Sequence, residues 1–294
     1  MVRLDSLAEY PYVPKTVRIG VHTMACLDEG EGMPLVMVHG NPSWSYLYRN
    51  VVSALRDTYR CIVPDHLGCG LSDKPADYPY RLQDHIDNLA HLLERLQVGR
   101  CLLMVHDWGG PIGLGWAGRR PEQVAGLVIL NTAAFPASRI PLRIAVCRWP
   151  VLGTLLVRGL NGFARSATFM AVAGKMSRQR AAGFLAPYDS WANRVAIHRF
   201  VQDIPMHAGH PSWATLKRVE AGLSRLQKIP TLICWGGRDF CFDNRFFQEW
   251  RQRFPAAESH LFPHAGHYLL EDALADILPL LSSFLQRCLT RRSG

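Results

Sequence analysis

The 294-residue sequence contains no stretch of 18 or more apolar, uncharged residues, so no membrane-spanning helix is expected. Its opening residues, MVRLDSLAEYPYVPK, hold no apolar signal-peptide run, which points to a cytoplasmic location. There is no C-x-x-C pair among eight widely spaced cysteines. Cys61, Cys101 and Cys234 fall inside apolar strand patterns and read as small buried hydrophobes, a usage that fits a reducing compartment. Acidic residues are comparatively scarce, 24 against 33 Lys and Arg, giving a formal charge of +9. The basic residues are scattered and form no tract of the kind that binds nucleic acid, so a solvated basic surface and no nucleic-acid partner are expected. Internal repeats and low-complexity segments are absent as well. What is present is a hydrophobic fraction of 48%, ample for a large core and an argument against disorder. The length suits one large α/β domain or such a domain with an insertion.

In chain order, residues 16–28 alternate as β-strands, the start of a sheet with antiparallel pairing. Residues 34–38 form a buried strand that runs into His39-Gly40-Asn41-Pro42-Ser43-Trp44, followed by helix-like residues 45–56. Residues 60–64 give another strand, ending in the glycine-rich loop from Asp65 to Lys74. Leu82, Ile86, Leu89, Leu92, Leu93 and Leu96 recur at helical spacing across 81–97. Residues 101–105 and 124–130 are further buried strands. Strands alternating with helices predict a mostly parallel sheet flanked by helices. Around Ala133 the alternation stops, and residues 134–225 read as helical pieces broken by Pro and Gly. The strand pattern resumes at Pro230, with a last strand at 259–262 and a closing helix over 271–288. The expected organisation is a core in two parts, 1–133 and 226–294, with a helical cap, 134–225, over the strand ends where ligands sit in open α/β sheets.

The stretch from Arg100 to Arg120 reads strand, tight turn, helix, with His106-Asp107-Trp108-Gly109-Gly110 at the turn. Such a turn strains the backbone so that one side chain, Asp107, stands above the sheet, and the following helix N-terminus favours an anion there. An ordinary acidic N-cap would look alike from these residues alone. Two further groups follow later strands, Asp239 in Gly236-Gly237-Arg238-Asp239 and His267 in Ala265-Gly266-His267-Tyr268. His267 read alone could be a packed or capping histidine. His264 is close by but precedes the Ala-Gly turn, Asp243 reads as a helix N-cap, and the position after the strand 124–130 holds the amide Asn131. The order nucleophile, acid, base then falls on Asp107, Asp239 and His267.

With LAEYPYVPK, HGNPSWSYLYRN, PDHLGCGLSDKP, VHDWGGPIG, CWGGRDF and HAGHYLLED in place, the chain resembles the α/β-hydrolases over nearly its whole length, and within them the haloalkane dehalogenases. The resemblance implies an α/β-hydrolase fold with an inserted helical cap, an Asp107 nucleophile, a His267 base, an Asp239 acid, and Asn41 and Trp108 as halide-binding and oxyanion residues. An acid after the strand that follows the cap resembles only part of that family.

Those residue types imply a definite chemistry. A carboxylate is nucleophilic at neutral pH without a base. Asp107 can displace halide from an sp³ carbon to leave an alkyl ester, while the amide of Asn41 and the indole of Trp108 offer N–H donors to the departing anion. His267, oriented by Asp239, then activates a water that cleaves the ester to alcohol, halide and a proton. The expected substrate is a small halogenated aliphatic molecule, with no metal or organic cofactor. The nearest competitor is an epoxide hydrolase, which shares Asp–His–Asp but usually draws two acidic tyrosines from the cap, where residues 134–225 offer only Tyr188. A fluoroacetate-type dehalogenase and an oxygenase of the coelenterazine-luciferase type use related residues. In a different class, the basic, apolar stretch 139–180 could dock a membrane or partner in a non-catalytic protein, and its apolar surface leaves self-association open.

Overall fold

The computed structural model describes Val2, Leu4 and residues 7–290. The outermost parts of the two expected core segments, residues 1, 3, 5 and 6 and residues 291–294, lie outside the described residues. Eight strands form one sheet in the order β1-β2-β4-β3-β5-β6-β7-β8. They are β1 (Lys15–Ile19), β2 (His22–Glu29), β3 (Met33–Val38), β4 (Tyr59–Pro64), β5 (Cys101–His106), β6 (Val124–Leu130), β7 (Thr231–Gly236) and β8 (Glu258–Phe262). β1 pairs antiparallel with β2, and β2 antiparallel with β4, and every later pairing is parallel.

The central strands are apolar throughout because both faces are covered. Successive side chains alternate between two cores. Leu35, Met37, Leu102, Met104 and Leu130 face one core, whereas Val36, Val38, Leu103, Val105 and Ile129 face the other. The first core is covered by α1 (Arg49–Leu55) and α12 (Leu274–Thr290), the second by α2 (Leu82–Arg95), α3 (Gly109–Ala117), α9 (Trp213–Gly222) and α10 (Asn244–Arg253).

Between β6 and β7 the chain leaves the sheet as short helices: α4 (Leu142–Val146), α5 (Pro150–Thr154) continued by a π-type turn (Leu155–Gly159), α6 (Gly162–Met170), α7 (Arg178–Leu185) and α8 (Val195–Gln202), then α9. A 3₁₀ turn over Leu223–Leu226 leads back to the sheet. One boundary differs from expectation. The closing helix is two helices, α11 (Leu269–Asp272) and α12, separated at Ala273. Asp272 turns outward to accept the N–H groups of Gly266 and Ala173 (both 2.8 Å), which ties the β8–α11 loop to the segment between α6 and α7. Glu271 ion-pairs with the fully buried Arg49.

Because β3, β5, β6, β7 and β8 are parallel, their C-terminal ends lie along one edge of the sheet. The loops after β3 (His39 to Trp44), β5 (Asp107), β6 (Asn131, Thr132), β7 (Asp239) and β8 (His267) therefore converge there.

Candidate active site

Asp107 follows β5 directly and precedes α3, at φ +52°, a left-handed conformation that an aspartate tolerates better than most residues. The turn that holds it there leaves no room for larger neighbours. A Cβ on Gly109 would lie 1.9 Å from the Val38 carbonyl oxygen, and one on Gly40 would lie 2.0 Å from Asp107 Oδ1. The Thr132 hydroxyl donates to the Asp107 carbonyl, and Asp107 N–H donates to Asn131 O (3.1 Å). The strain is thus fixed from both adjacent strands.

The side chain presents its two oxygens differently. Asn41 N–H donates to Asp107 Oδ1 at 2.7 Å, and the backbone N–H of Trp108 also favours the charged form of this carboxylate. Oδ2 faces His267 Nε2 at 3.7 Å. Burial raises the Asp107 pKa above the ordinary carboxylate value, and the His267 ring and the two N–H groups oppose it. His267 Nδ1 is bonded to Asp239 Oδ2 at 2.7 Å, which leaves Nε2 directed at Asp107. Burial works against a charged ring here, but Asp239 and Asp107 outweigh it and raise the His267 pKa above the ordinary histidine value. Asp239 is itself fully engaged. Its Oδ1 accepts from the N–H groups of Cys241 (2.6 Å) and Phe242 (3.1 Å), and its Oδ2 accepts from Asn131 Nδ2 (2.9 Å).

Asn41 and Trp108 both line the cavity beside Asp107. Asn41 Nδ2 donates to Ile197 O on α8 at 3.2 Å, so one of its two N–H bonds is committed. The Trp108 indole packs edge-on to Phe200, and its N–H has no acceptor among the described residues. The structure therefore brings Asp107, His267, Asp239, Asn41 and Trp108 together. It leaves out the competing residues. His264 is exposed and sits 3.5 Å from Asp276, and Asp243 caps α10 by accepting Arg245 N–H. Tyr188 is buried, with its hydroxyl donating to Ser43 O and outside the cavity lining, so the tyrosine that an epoxide-opening acid would need is turned away.

Three residues of the site carry a role that the sequence reading did not assign. Asn131 does not replace the acid but braces it, bonding both Asp239 and the backbone of Gly236. His106, fully buried, donates its Nε2–H to the carbonyl of His267 at 2.8 Å. Phe242 stacks on the His267 ring at 5.7 Å. The amide after β6 was visible in the sequence. Its partner was not, because the contact joins residues 108 positions apart.

Above Asp107 lies a cavity of about 320 Å³ between the strand-end loops and the β6–β7 helices. Its walls are mostly apolar and include Phe135, Ile144, Leu156, Phe163, Val201 and Phe246. Asp107 and His267 are at one place in that wall, and Arg139 and Arg143 contribute at another. Among the described residues, no cluster of three or more His, Cys, Asp or Glu has the spacing to hold a metal ion.

The family model of the alpha/beta hydrolase fold matches residues 33–274. The chain is 50% identical over 266 residues, 88% of its length and 84% of the relative's, to a cis-3-alkyl-4-alkyloxetan-2-one decarboxylase of Shewanella oneidensis. It is 35% identical over 253 residues, 84% of its length and 86% of the relative's, to haloalkane dehalogenase 2 of Mycobacterium bovis. Among solved structures, the ancestral haloalkane dehalogenase AncHLD2 superposes with a TM-score of 0.86 at 26% identity, over 94% of this chain and 99% of that one.

Proposed function

The chain belongs to the α/β-hydrolase fold family, and we propose that it decarboxylates cis-3-alkyl-4-alkyloxetan-2-ones, strained four-membered lactones, to cis-alkenes and carbon dioxide. The observation that carries this reading is a bare carboxylate nucleophile, Asp107, opening onto an apolar cavity, in a chain half identical to such decarboxylases. Two alkyl groups need an apolar enclosure, and the ring needs a nucleophile that can also leave.

Asp107 Oδ2 attacks C4 from the side opposite the ring oxygen. The C4–O bond breaks, and its electron pair goes to the ring oxygen, leaving an alkyl ester on Asp107 and a free carboxylate on C3. The Trp108 indole N–H and the uncommitted Asn41 N–H are the donors for that developing anion. The bond from C3 to the carboxylate then breaks to release carbon dioxide. Its electron pair becomes the C3=C4 π bond, and the C4–O bond to Asp107 breaks to restore the aspartate. Inversion at C4 followed by anti elimination keeps the alkyl groups cis. No water is consumed and no proton is gained or lost. The N–H groups of Asn41 and Trp108 and the His267 ring, which faces Asp107 Oδ2, make Asp107 a better leaving group by stabilising the carboxylate it becomes. The helices between β6 and β7 act as the cap, and they select alkyl length by burial worth about 0.8 kcal/mol per methylene, or roughly fourfold in KM.

Hydrolytic dehalogenation of haloalkanes is the second reading, favoured by the same Asn41–Trp108 pair beside Asp107. There the ester carries no carboxylate to expel, and only water activated by His267 can release it. Incubating the purified protein with a cis-3,4-dialkyloxetan-2-one and, separately, with short bromoalkanes tests both readings. Gas chromatography–mass spectrometry should find the cis-alkene from the lactone. A β-hydroxy acid in its place would overturn the decarboxylase reading, and halide release alone would leave dehalogenation as the function.

A further inference from the structure

Between Glu122 and Asp189 the sequence has no acidic residue at all, while it has eight arginines and lysines. The same span carries a concentration of exposed large hydrophobics. Leu142 (77% exposed), Trp149, Val151 (74% exposed), Leu152, Leu155 and Phe169 all face solvent. Elsewhere among the described residues, such side chains are scattered singly, at Val13, Val21 and Leu261 for example. Val151, Leu152 and Leu155 follow one another at helical spacing along α5 and the turn that extends it, so they share a face. Arg148 and Arg165 flank them with no ion-pair partner among the described residues, and Arg158 lies 4.5 Å over the ring of the exposed Trp191.

From this surface we infer that the α4–α6 face docks on an anionic phospholipid bilayer, lying in the interface without crossing it. The composition is that of an interfacial element: short helices, an apolar outward face with tryptophan, arginines around it and no carboxylate between Glu122 and Asp189 to repel lipid phosphate. A second copy of the chain fits poorly, since a two-fold contact would set one acid-free basic face against another. No described helix is long and apolar enough to span a bilayer, which agrees with a surface position. The inner side of the same elements lines the cavity, through Ile144, Cys147 and Leu156. One thin helical layer therefore separates lipid from the cavity, a short path for a water-insoluble dialkyl substrate or alkene product. The docking itself stands apart from the reaction; only its use in substrate delivery rests on the function proposed above.

Flotation of the full chain on a density gradient with unilamellar vesicles tests the docking without any turnover. With vesicles of phosphatidylcholine plus phosphatidylglycerol, the protein should float at least about tenfold more than with phosphatidylcholine alone, and the excess should fall as salt is raised. The double variant Val151→Glu/Leu155→Glu and, separately, Arg148→Glu/Arg165→Glu should each lose on the order of tenfold of that binding. Their thermal melts by circular dichroism should stay close to the wild-type position, because Val151, Leu155 and Arg165 are exposed and Arg148 is only half-buried. Wild-type protein that stays with the dense fractions, floats equally with both vesicle types, or floats undiminished in both folded variants would overturn the proposal. So would a dimer in sedimentation that the variants dissociate while vesicle binding is absent.

Discussion

The two sides of the cavity are built on opposite terms. On the sheet side, charged side chains are buried and their polar atoms are mostly spoken for. Asp239 accepts two backbone N–H groups, one amide and the His267 ring, and Asp107 is pinned at positive φ by neighbours from β3 and β6. On the helical side, from α4 to α6, there is no carboxylate, no arginine has an ion-pair partner among the described residues and leucines face solvent. The first arrangement is that of groups which must not move while charge develops. The second supplies most of the apolar wall of the cavity. On the function proposed above, the sheet-side constellation forms an ester on Asp107 from either substrate, and the substrate decides how that ester ends.

The sharpest way to break this contrast is to remove the nucleophile. Asp107→Ala should lower alkene formation by on the order of 10³-fold or more, because no other group can form the ester, while circular dichroism shows the fold intact. Residual alkene near the wild-type level in the purified variant would refute the assignment. Next in size come the donors to the displaced anion. Trp108→Leu and Asn41→Ala should each lower kcat by about a hundredfold, the loss of roughly 3 kcal/mol that removing one such donor brings. Wild-type rates in both would mean that the anion leaves elsewhere.

The smallest effect concerns stability and lies far from the cavity. Hydrogen bonds from Arg180 and Arg49 outweigh partial burial and lower the Glu9 pKa from 4.5 to about 2. A carboxylate with a depressed folded pKa adds stability above its unfolded value and loses it as pH falls through the folded one. Glu9→Gln should thus flatten the loss of stability between pH 4.5 and 2. Glu9 is more than a third exposed, so its contribution near neutral pH is at most about 1 kcal/mol. Parallel acid-denaturation curves for the two proteins would contradict the linkage.

Much of the sheet side was legible in the residues themselves. The apolar run 101–105 followed by HDWGG reads as a buried strand entering a tight turn, and Asp239 and Asp243 were separable because one follows a strand directly and the other begins a helix. The bracing by Asn131 and His106 was not legible, since each contact exists only once distant loops converge. Nor was the break at Ala273, which follows α11, whose last residue, Asp272, accepts the Gly266 N–H. Substrate class was hidden for a chemical reason. Asn41 and Trp108 offer N–H donors to a leaving anion, and those donors are the same whether the anion is a halide or a carboxylate. The acid-free composition of the 123–188 span was in plain view, but its meaning depended on which of its side chains face outward.

The central claim is that one ester on Asp107 ends by two routes, and intact-mass spectrometry of a His267→Phe variant tests it most directly. Given a bromoalkane, the variant should release about one halide per site and retain the alkyl mass in the HDWGG peptide, because water is no longer activated. Given a cis-3,4-dialkyloxetan-2-one, it should go on forming alkene through many turnovers, more slowly than wild type, and retain no added mass. A stable adduct from the lactone, or no adduct from a bromoalkane that the wild-type protein consumes, would contradict the account.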